Sequence, residues 1–222
     1  MTQVTIDTAN FATMREAMVA SQLRTNAVND VRVVAAMARV PREDFLPEAQ
    51  RRLAYRDTAV PIAHGRAANV PIATGKLLTR AEVRPTDHVL LIGAAGGYTA
   101  AVLAELAGEI VAVDSDSALI AIARAALASY ANVELVEGDL AAGWPGQAPY
   151  DLLIVDGAVE HLPQALIDQV AVGGRVVTGI ADRGVTRLAT GVRTAGGFGL
   201  TTFADVDCVA LPGFARPKAF TF

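Results

Sequence analysis

The chain has 222 residues, 52% of them hydrophobic and 19% charged, with a mean hydropathy of +0.36. That composition excludes an intrinsically disordered chain, a collagen-like chain and a disulfide-rich miniature, and the length suits one compact unit with a small appendage. A net charge of −4 and a pI near 5.4, with no cluster of Lys and Arg, argue against nucleic acid or an anionic lipid surface and favour a small molecule or another protein as ligand.

No apolar run reaches the roughly 18 residues of a membrane span, because Glu105 and Glu109 interrupt the most hydrophobic stretch. The first residues lack the basic-then-apolar order of a secretion signal. Cys208 is the single cysteine, with no disulfide partner or metal-ligating neighbour, so a reducing compartment, the cytoplasm, is expected.

Apolar residues recur near helical spacing at Phe11, Met14, Met18 and Leu23, and Asp30 is placed to cap a second helix running through Met37. Pro41 and Pro47 bracket a turn. The stretch from Tyr55 to Gly75, punctuated by Pro61, Gly65 and Pro71, reads as a long loop of the kind that carries function. His88–Ile92 is a buried-strand run, Gly93–Gly97 a glycine-rich turn and Tyr98–Leu106 a helix. Ile110–Val113, ending in Asp114, is the second strand, and Ser117–Ala128 the next helix. Val133–Val136 and Leu152–Val155 repeat the pattern, followed by a helix over Pro163–Val170 and a strand over Arg175–Ile180. Strands alternating with helices predict an α/β fold, a mostly parallel sheet with helices on both faces. Val185–Arg193 and Leu200–Leu211, around a turn at Ala195–Gly197, predict a C-terminal antiparallel hairpin.

Gly93-Ala94-Ala95-Gly96-Gly97 lies between a strand and a helix, where small residues let backbone N–H groups approach a ligand. Tight strand-to-helix packing explains such a turn equally well. A dinucleotide fingerprint needs glycines where this chain has Ala95 and Tyr98, which disfavours NAD. Asp114 ends the second strand, where a carboxylate can accept from both ribose hydroxyls; its other reading is a helix cap, a role open to Asp116 as well. Asp139 and Asp156 end the third and fourth strands. Three acids at the ligand-binding edge suggest a cleft for hydroxyls, an exocyclic amine or a cation, which S-adenosylmethionine combines.

Across nearly its whole length the chain resembles the protein-L-isoaspartate O-methyltransferase family. Gln22-Leu-Arg24, Asp30-Val-Arg-Val33, Ala36-Met37, Val40-Pro-Arg-Glu43, Phe45-Leu-Pro-Glu48 and Ala54-Tyr55 with Asp57 carry the N-terminal part of the likeness. Gly138-Asp139, Gly143-Trp-Pro145, Pro149-Tyr-Asp151, Gly173-Gly-Arg175 and Leu211-Pro-Gly213 carry the rest. The resemblance implies a Rossmann-like S-adenosylmethionine methyltransferase fold. Residues 1–80 would form an N-terminal helical segment and active-site loop packed on a core of residues 81–222, one structural domain overall. It further implies that Gly93, Ala94, Ala95, Gly96 and Gly97 sit beside the methionine part of the cofactor, that Asp114 with Ser115 holds the ribose, and that Asp139 with Leu140 faces the adenine. Arg66, Ala67, Ala68 and Asn69 would form the loop that closes over the methyl donor and presents the substrate. Asp156 is assigned to the cofactor side from its place among the strand-end acids, not from the resemblance.

The loop departs from the family pattern, which reads roughly Gln-Thr-Ile-Ser-Gln-Pro where this chain has Arg66-Ala-Ala-Asn-Val-Pro71. Asn69 stands in place of the serine implied to bind the substrate carboxylate, and its amide N–H can serve the same purpose; a plain turn residue is the other reading. Leu91 replaces an acid, Ala95 a glycine and Asp156 an uncharged residue. Asp156 and Asp182 could hold Mg²⁺ only if Glu160 or His161 joined them, so no metal is expected, and His64 carries no assigned role.

The expected activity is methyl transfer to the α-carboxylate of isoaspartyl residues in damaged proteins or peptides, with no nucleic-acid or membrane partner. Its alternatives are a methyltransferase of the same fold acting on another carboxylate or hydroxyl, or a non-catalytic S-adenosylmethionine-binding homologue. The sequence sets no oligomeric state.

Overall fold

The computed structural model describes residues 8–216. Helix α1 (Thr8–Met18) continues through a π turn at Val19–Leu23 and a 3₁₀ turn at Arg24–Asn26. Helix α2 (Val31–Arg39) begins where expected, because the Asp30 carboxylate accepts from the N–H groups of Arg32 and Val33.

The segment expected to be a loop is largely ordered. Strands β1 (Val60–Ala63) and β2 (Arg66–Ala68) pair antiparallel, and helix α3 (Pro71–Ala81) opens with Pro71 in its first turn. The hairpin turn is His64-Gly65, with φ of +49° and +75°. Two consecutive positive φ values give the twist that joins two short strands, so Gly65 makes a hairpin rather than a break.

Strands β3 (His88–Ile92), β4 (Glu109–Asp114), β5 (Val133–Glu137), β6 (Tyr150–Val159), β7 (Val170–Asp182), β8 (Val185–Val192) and β9 (Thr201–Asp205) form one sheet in the order β5-β4-β3-β6-β7-β8-β9. Strands β3 to β7 are parallel to their neighbours, and β7, β8 and β9 are antiparallel. Helices α4 (Tyr98–Ala104) and α5 (Ser117–Ala126) link the first parallel strands, and the expected helix at Pro163–Val170 is shortened to α6 (Gln164–Ile167). Val170 already pairs with Tyr150, so sheet pairing takes over that end. The strand expected over Leu200–Leu211 stops at Asp205. Beyond it the chain crosses the end of β6, where Ala158 N–H donates to Val209 C=O at 2.7 Å and Leu211 N–H to Ala158 C=O at 3.0 Å.

Because β-strand side chains alternate, the apolar runs divide between two cores. Val89, Leu91, Ile110, Ala112, Leu152 and Ile154 join the cluster that contains the N-terminal helices. Leu90, Ile92, Val111, Val113, Leu153 and Val155 join the cluster on the other face. The chain leaves β3 toward β4 and returns on its other side as β6, which creates a crevice at the carboxyl ends of these strands.

Candidate active site

Ile92 is opposite Val113 on one side and Val155 on the other. One residue further along each strand are Gly93, Asp114 and Asp156. Their position in register explains why separate motifs converge. By the same alternation, Asp114 follows the facing of Ile110 and Ala112, and Asp156 that of Leu152 and Ile154. Both acids therefore address the face covered by the N-terminal helices and the β1–β2 hairpin.

The glycine turn is shaped by backbone geometry. Gly93 and Gly97 have φ of +84° and +97°, and Ala95 also lies in the left-handed region at +47°. At Gly96 space is the constraint, since a Cβ there would stand 2.3 Å from the carbonyl oxygen of Phe45. Only glycine lets the turn pass this close to the N-terminal segment.

Asp114 is fully buried and accepts from both terminal nitrogens of Arg66 at 3.0 Å, from Ala95 N–H at 2.8 Å and from Asp116 N–H at 3.2 Å. Asp116, not Asp114, caps α5 by accepting from Ala118 and Leu119 N–H, which leaves Asp114 without a capping role. The tip of the hairpin is held by a second contact, His64 Nδ1 to Asp116 at 2.7 Å. Hydrogen bonding with His64 is the first cause holding the Asp116 carboxyl below its ordinary range.

Asn69 and Asp156 are buried together. Asn69 Nδ2 donates to Asp156 Oδ1 at 3.1 Å, Thr99 Oγ1 donates to Asp156 Oδ2 at 2.5 Å, and Asn69 Oδ1 accepts from Val209 N–H at 3.2 Å. Burial pushes the Asp156 carboxyl above its ordinary pKa, against the opposing pull of Thr99, Asn69, Arg42 and Arg66. Arg42 is itself buried; it donates to the carbonyls of Ala54 and Asn69 and lies 4.7 Å from the centre of the Tyr98 ring. Desolvation holds its guanidinium below its ordinary pKa. The Tyr98 hydroxyl is buried without a hydrogen-bond partner, and desolvation pushes its pKa up to about 12. These groups line a cavity of about 10 Å³, scarcely the room of one water molecule, with Phe45 and Ile62 from the N-terminal segment closing it.

Of the residues singled out from sequence, Ala68, Asn69, Ala94, Ala95, Gly96 and Asp156 line this cavity. Arg66 and Asp114 are paired beside it. Leu140 is buried, whereas Ser115 and Asp139 are exposed, and the Asp139 carboxylate accepts from Ala141 N–H. Ala67 lies on β2 opposite Pro61. Asp182 is exposed at the end of β7, while His161 Nδ1 contacts the Phe214 carbonyl and Glu160 holds Arg216, so the latter two have partners other than Asp156. Among the described residues, no group of three or more His, Cys, Asp or Glu is gathered to hold a metal ion.

Sequence reasoning missed Arg42, Tyr98 and Thr99. The local sequence offered little signal, because Arg42 stands beside Glu43 and Asp44 in a charged run that reads as a solvated turn, and only packing of that turn buries it.

A parallel sheet with a β3–β6 switch point, a glycine turn and an acid ending β4 defines a Rossmann-like methyltransferase fold. The chain is similar to two solved structures over 90% of its length: a protein-L-isoaspartate O-methyltransferase, with 23% identity, a TM-score of 0.77 and 66% of that chain covered, and a putative enzyme of that name from Plasmodium falciparum in complex with S-adenosyl-L-homocysteine, with 18% identity, a TM-score of 0.76 and 97% covered. Sequence relatives are closer. It is 44% identical over 192 residues to protein-L-isoaspartate O-methyltransferase 1 of Rhodopseudomonas palustris, covering 85% of this chain and 78% of the relative. It is 35% identical over 209 residues to the Koribacter versatilis protein-L-isoaspartate O-methyltransferase, covering 93% and 94%. The profile of the protein-L-isoaspartate(D-aspartate) O-methyltransferase family matches residues 13–213, and the chain belongs to that family.

Proposed function

We propose that the protein methylates the α-carboxylate of L-isoaspartyl residues in damaged proteins and peptides, using S-adenosylmethionine. The observation that carries this reading is the in-register meeting of Gly93, Asp114 and Asp156 under a hairpin that brings Asn69 to the same point. When bound, S-adenosylmethionine supplies a methyl group on a sulfonium centre. The residues that would hold it are the turn from Gly93 to Gly97 for the methionine part and Asp114 and Leu140 for the ribose and adenine; Phe45 and Ile62 close over the turn and leave only about 10 Å³ beside it, so the cofactor enters when that segment moves aside. Asp114 becomes available to ribose hydroxyls once Arg66 withdraws, because its oxygens are already occupied by Arg66 and two backbone N–H groups.

The acceptor carboxylate is ionised at neutral pH, so no residue need remove a proton. The protein's work is to aim and to exclude water. Asn69 Nδ2 is the donor that aims the carboxylate, Tyr98 Oη is a buried donor beside it, and Phe45 and Ile62 keep water out. In the methyl ester formed, the next amide nitrogen attacks the ester carbonyl, loses its proton and expels methanol, a far better departure than oxide from a carboxylate; the succinimide so closed is reopened by water, partly to normal aspartate.

Residues 1–80 and 81–222 differ in role in this reading, the first supplying the lid and acceptor side and the second the cofactor side of one structural unit. Among the described residues no helix is long and apolar enough to cross a membrane. With a single thiol and a modest negative charge, this supports a cytoplasmic enzyme whose partners are peptides rather than nucleic acid or lipid.

The deciding experiment compares methyl transfer from labelled cofactor to an isoaspartyl peptide and to its normal aspartyl twin. Transfer to the isoaspartyl peptide alone is expected. No transfer by a preparation that binds S-adenosylhomocysteine overturns the reading in favour of a different acceptor.

A further inference from the structure

We infer that Asp156 is a specificity-determining residue whose carboxylate occupies the seat of the acceptor carboxylate and must be neutralised before an anionic acceptor can bind. This inference rests on the isoaspartyl reading above and concerns the same site.

The argument begins from the donors the cavity offers. An anion entering beside the glycine turn can be met by Asn69 Nδ2, Thr99 Oγ1, Arg42 and Tyr98 Oη. Asn69 and Thr99 already donate to the two oxygens of Asp156, at 3.1 and 2.5 Å. Arg42 donates to the carbonyls of Ala54 and Asn69, and only Tyr98 Oη lacks a partner. Asp156 thus presents to this pocket the same chemical group as the acceptor, a carboxylate held by an amide and a hydroxyl.

Two carboxylates cannot share such a seat while both are charged, because in a buried site the repulsion is poorly screened and each oxygen pair needs its own donors. The remedy is one proton. A neutral Asp156 becomes a donor itself, frees Asn69 Nδ2 to turn toward the acceptor and removes the repulsion. Its surroundings favour that proton through burial, while Arg42, Arg66, Thr99 and Asn69 favour the charged form. Tyr98 and Cys208 also face this charge, and burial, with Asp156 nearby, raises the pKa of each. Position matters as much as charge, since Asp156 directly follows Val155, the last residue of β6 paired with β3, which fixes its backbone beside the cavity.

The test uses the full chain and an N-acetylated, C-amidated isoaspartyl peptide without other ionisable side chains, whose one carboxylate stays charged across the range measured. Methyl transfer is measured from about pH 6 to about pH 8 for wild type, Asp156→Asn and Asp156→Ser, with S-adenosylhomocysteine affinity measured separately by calorimetry. The expected result is a peptide KM lowered on the order of tenfold in Asp156→Asn near pH 7.5, with kcat and cofactor affinity little changed. The gap should widen with pH as wild-type KM rises and the variant's stays flat. Asp156→Ser follows the same pattern and stands in if Asp156→Asn does not fold. Wild-type methylation with an equal or higher KM in both variants overturns this inference alone. Absence of methylation in all three proteins, with cofactor binding intact, overturns the isoaspartyl reading and this inference with it.

Discussion

Arg66 forks onto Asp114, each terminal nitrogen 3.0 Å from one carboxylate oxygen, with Asp114 fully buried and the Arg66 side chain 9% exposed. This pair locks the β1–β2 hairpin over Asp114, the residue proposed to hold the ribose. A protein whose binding-competent state requires an ion pair to open has an apparent affinity reduced by the fraction open. Arg66→Ala should therefore tighten S-adenosylhomocysteine binding about tenfold. It should also lower the thermal stability of the cofactor-free protein, since a buried carboxylate loses its countercharge. Asp114→Ala should weaken binding by about 1.5–3 kcal/mol, the scale of a charge-assisted hydrogen bond. Calorimetry on both variants checks the pair; weaker binding by Arg66→Ala would instead make Arg66 a cofactor ligand.

Asn69 ties three parts of the chain together through Asp156, Val209 N–H and Arg42. Asn69→Ala should reduce turnover on the order of 10²-fold with cofactor affinity nearly unchanged, the pattern of a donor used mainly in the transition state. It should also lower unfolding free energy by about 1–3 kcal/mol, because Asp156 and Val209 each lose a partner. Asn69→Ser keeps a donor and should retain turnover. Equal rates for wild type and Asn69→Ala would remove Asn69 from the chemistry.

Asp156 has a folded-state pKa raised above its unfolded value, chiefly by burial. The folded protein then binds more protons than the unfolded chain across the window between the two values. The stability this contributes is fully present below the unfolded pKa and is lost as pH rises through the folded one. Asp156→Asn should flatten the curve, so its unfolding free energy relative to wild type should rise with pH. Urea unfolding of both proteins from about pH 4 to pH 8 measures this; parallel curves would place the titration elsewhere.

Gly96 carries the closest approach between the turn and the N-terminal segment, where an added Cβ would meet Phe45 C=O at 2.3 Å. Backbone oxygen cannot swing aside as a side-chain end can. Gly96→Ala should destabilise by about 1–3 kcal/mol and displace the turn enough to abolish measurable cofactor binding. A variant with wild-type affinity would show that the turn contributes no contact.

Much of this architecture was readable from local pattern. Val89, Leu91, Ile110 and Ala112 alternate with Leu90, Ile92, Val111 and Val113, and that period of two, broken by helical stretches, requires a sheet buried on both faces. The glycine turn and the acid ending β4 were also visible, because strand ends and turns are written in consecutive residues; Asp156, expected to end its strand, lies inside β6, which runs on to Val159 after its pairing with β3 stops at Val155. The long segment from Tyr55 to Gly75 was misread where two positive φ values at His64 and Gly65 turn a loop into a hairpin. The isolated Gly65 does not distinguish these outcomes.

Only the tertiary structure decided which side chains meet. Arg66 reaches Asp114 across 48 residues, and Asn69 reaches Asp156 across 87. Those contacts depend on which sheet face the hairpin covers, and nothing in the hairpin's own residues specifies that. Arg42 likewise became a site residue only when its 3₁₀ turn, Arg42–Phe45, packed against Tyr98. The sequence alone determined the alternating strands and helices, the small-residue turn and the acid that ends β4, since each follows from residues adjacent along the chain. The state of Asp114, forked by an arginine, and of Asp156, held by Asn69 and Thr99, was settled by burial and long-range packing, which set the local dielectric and the available partners.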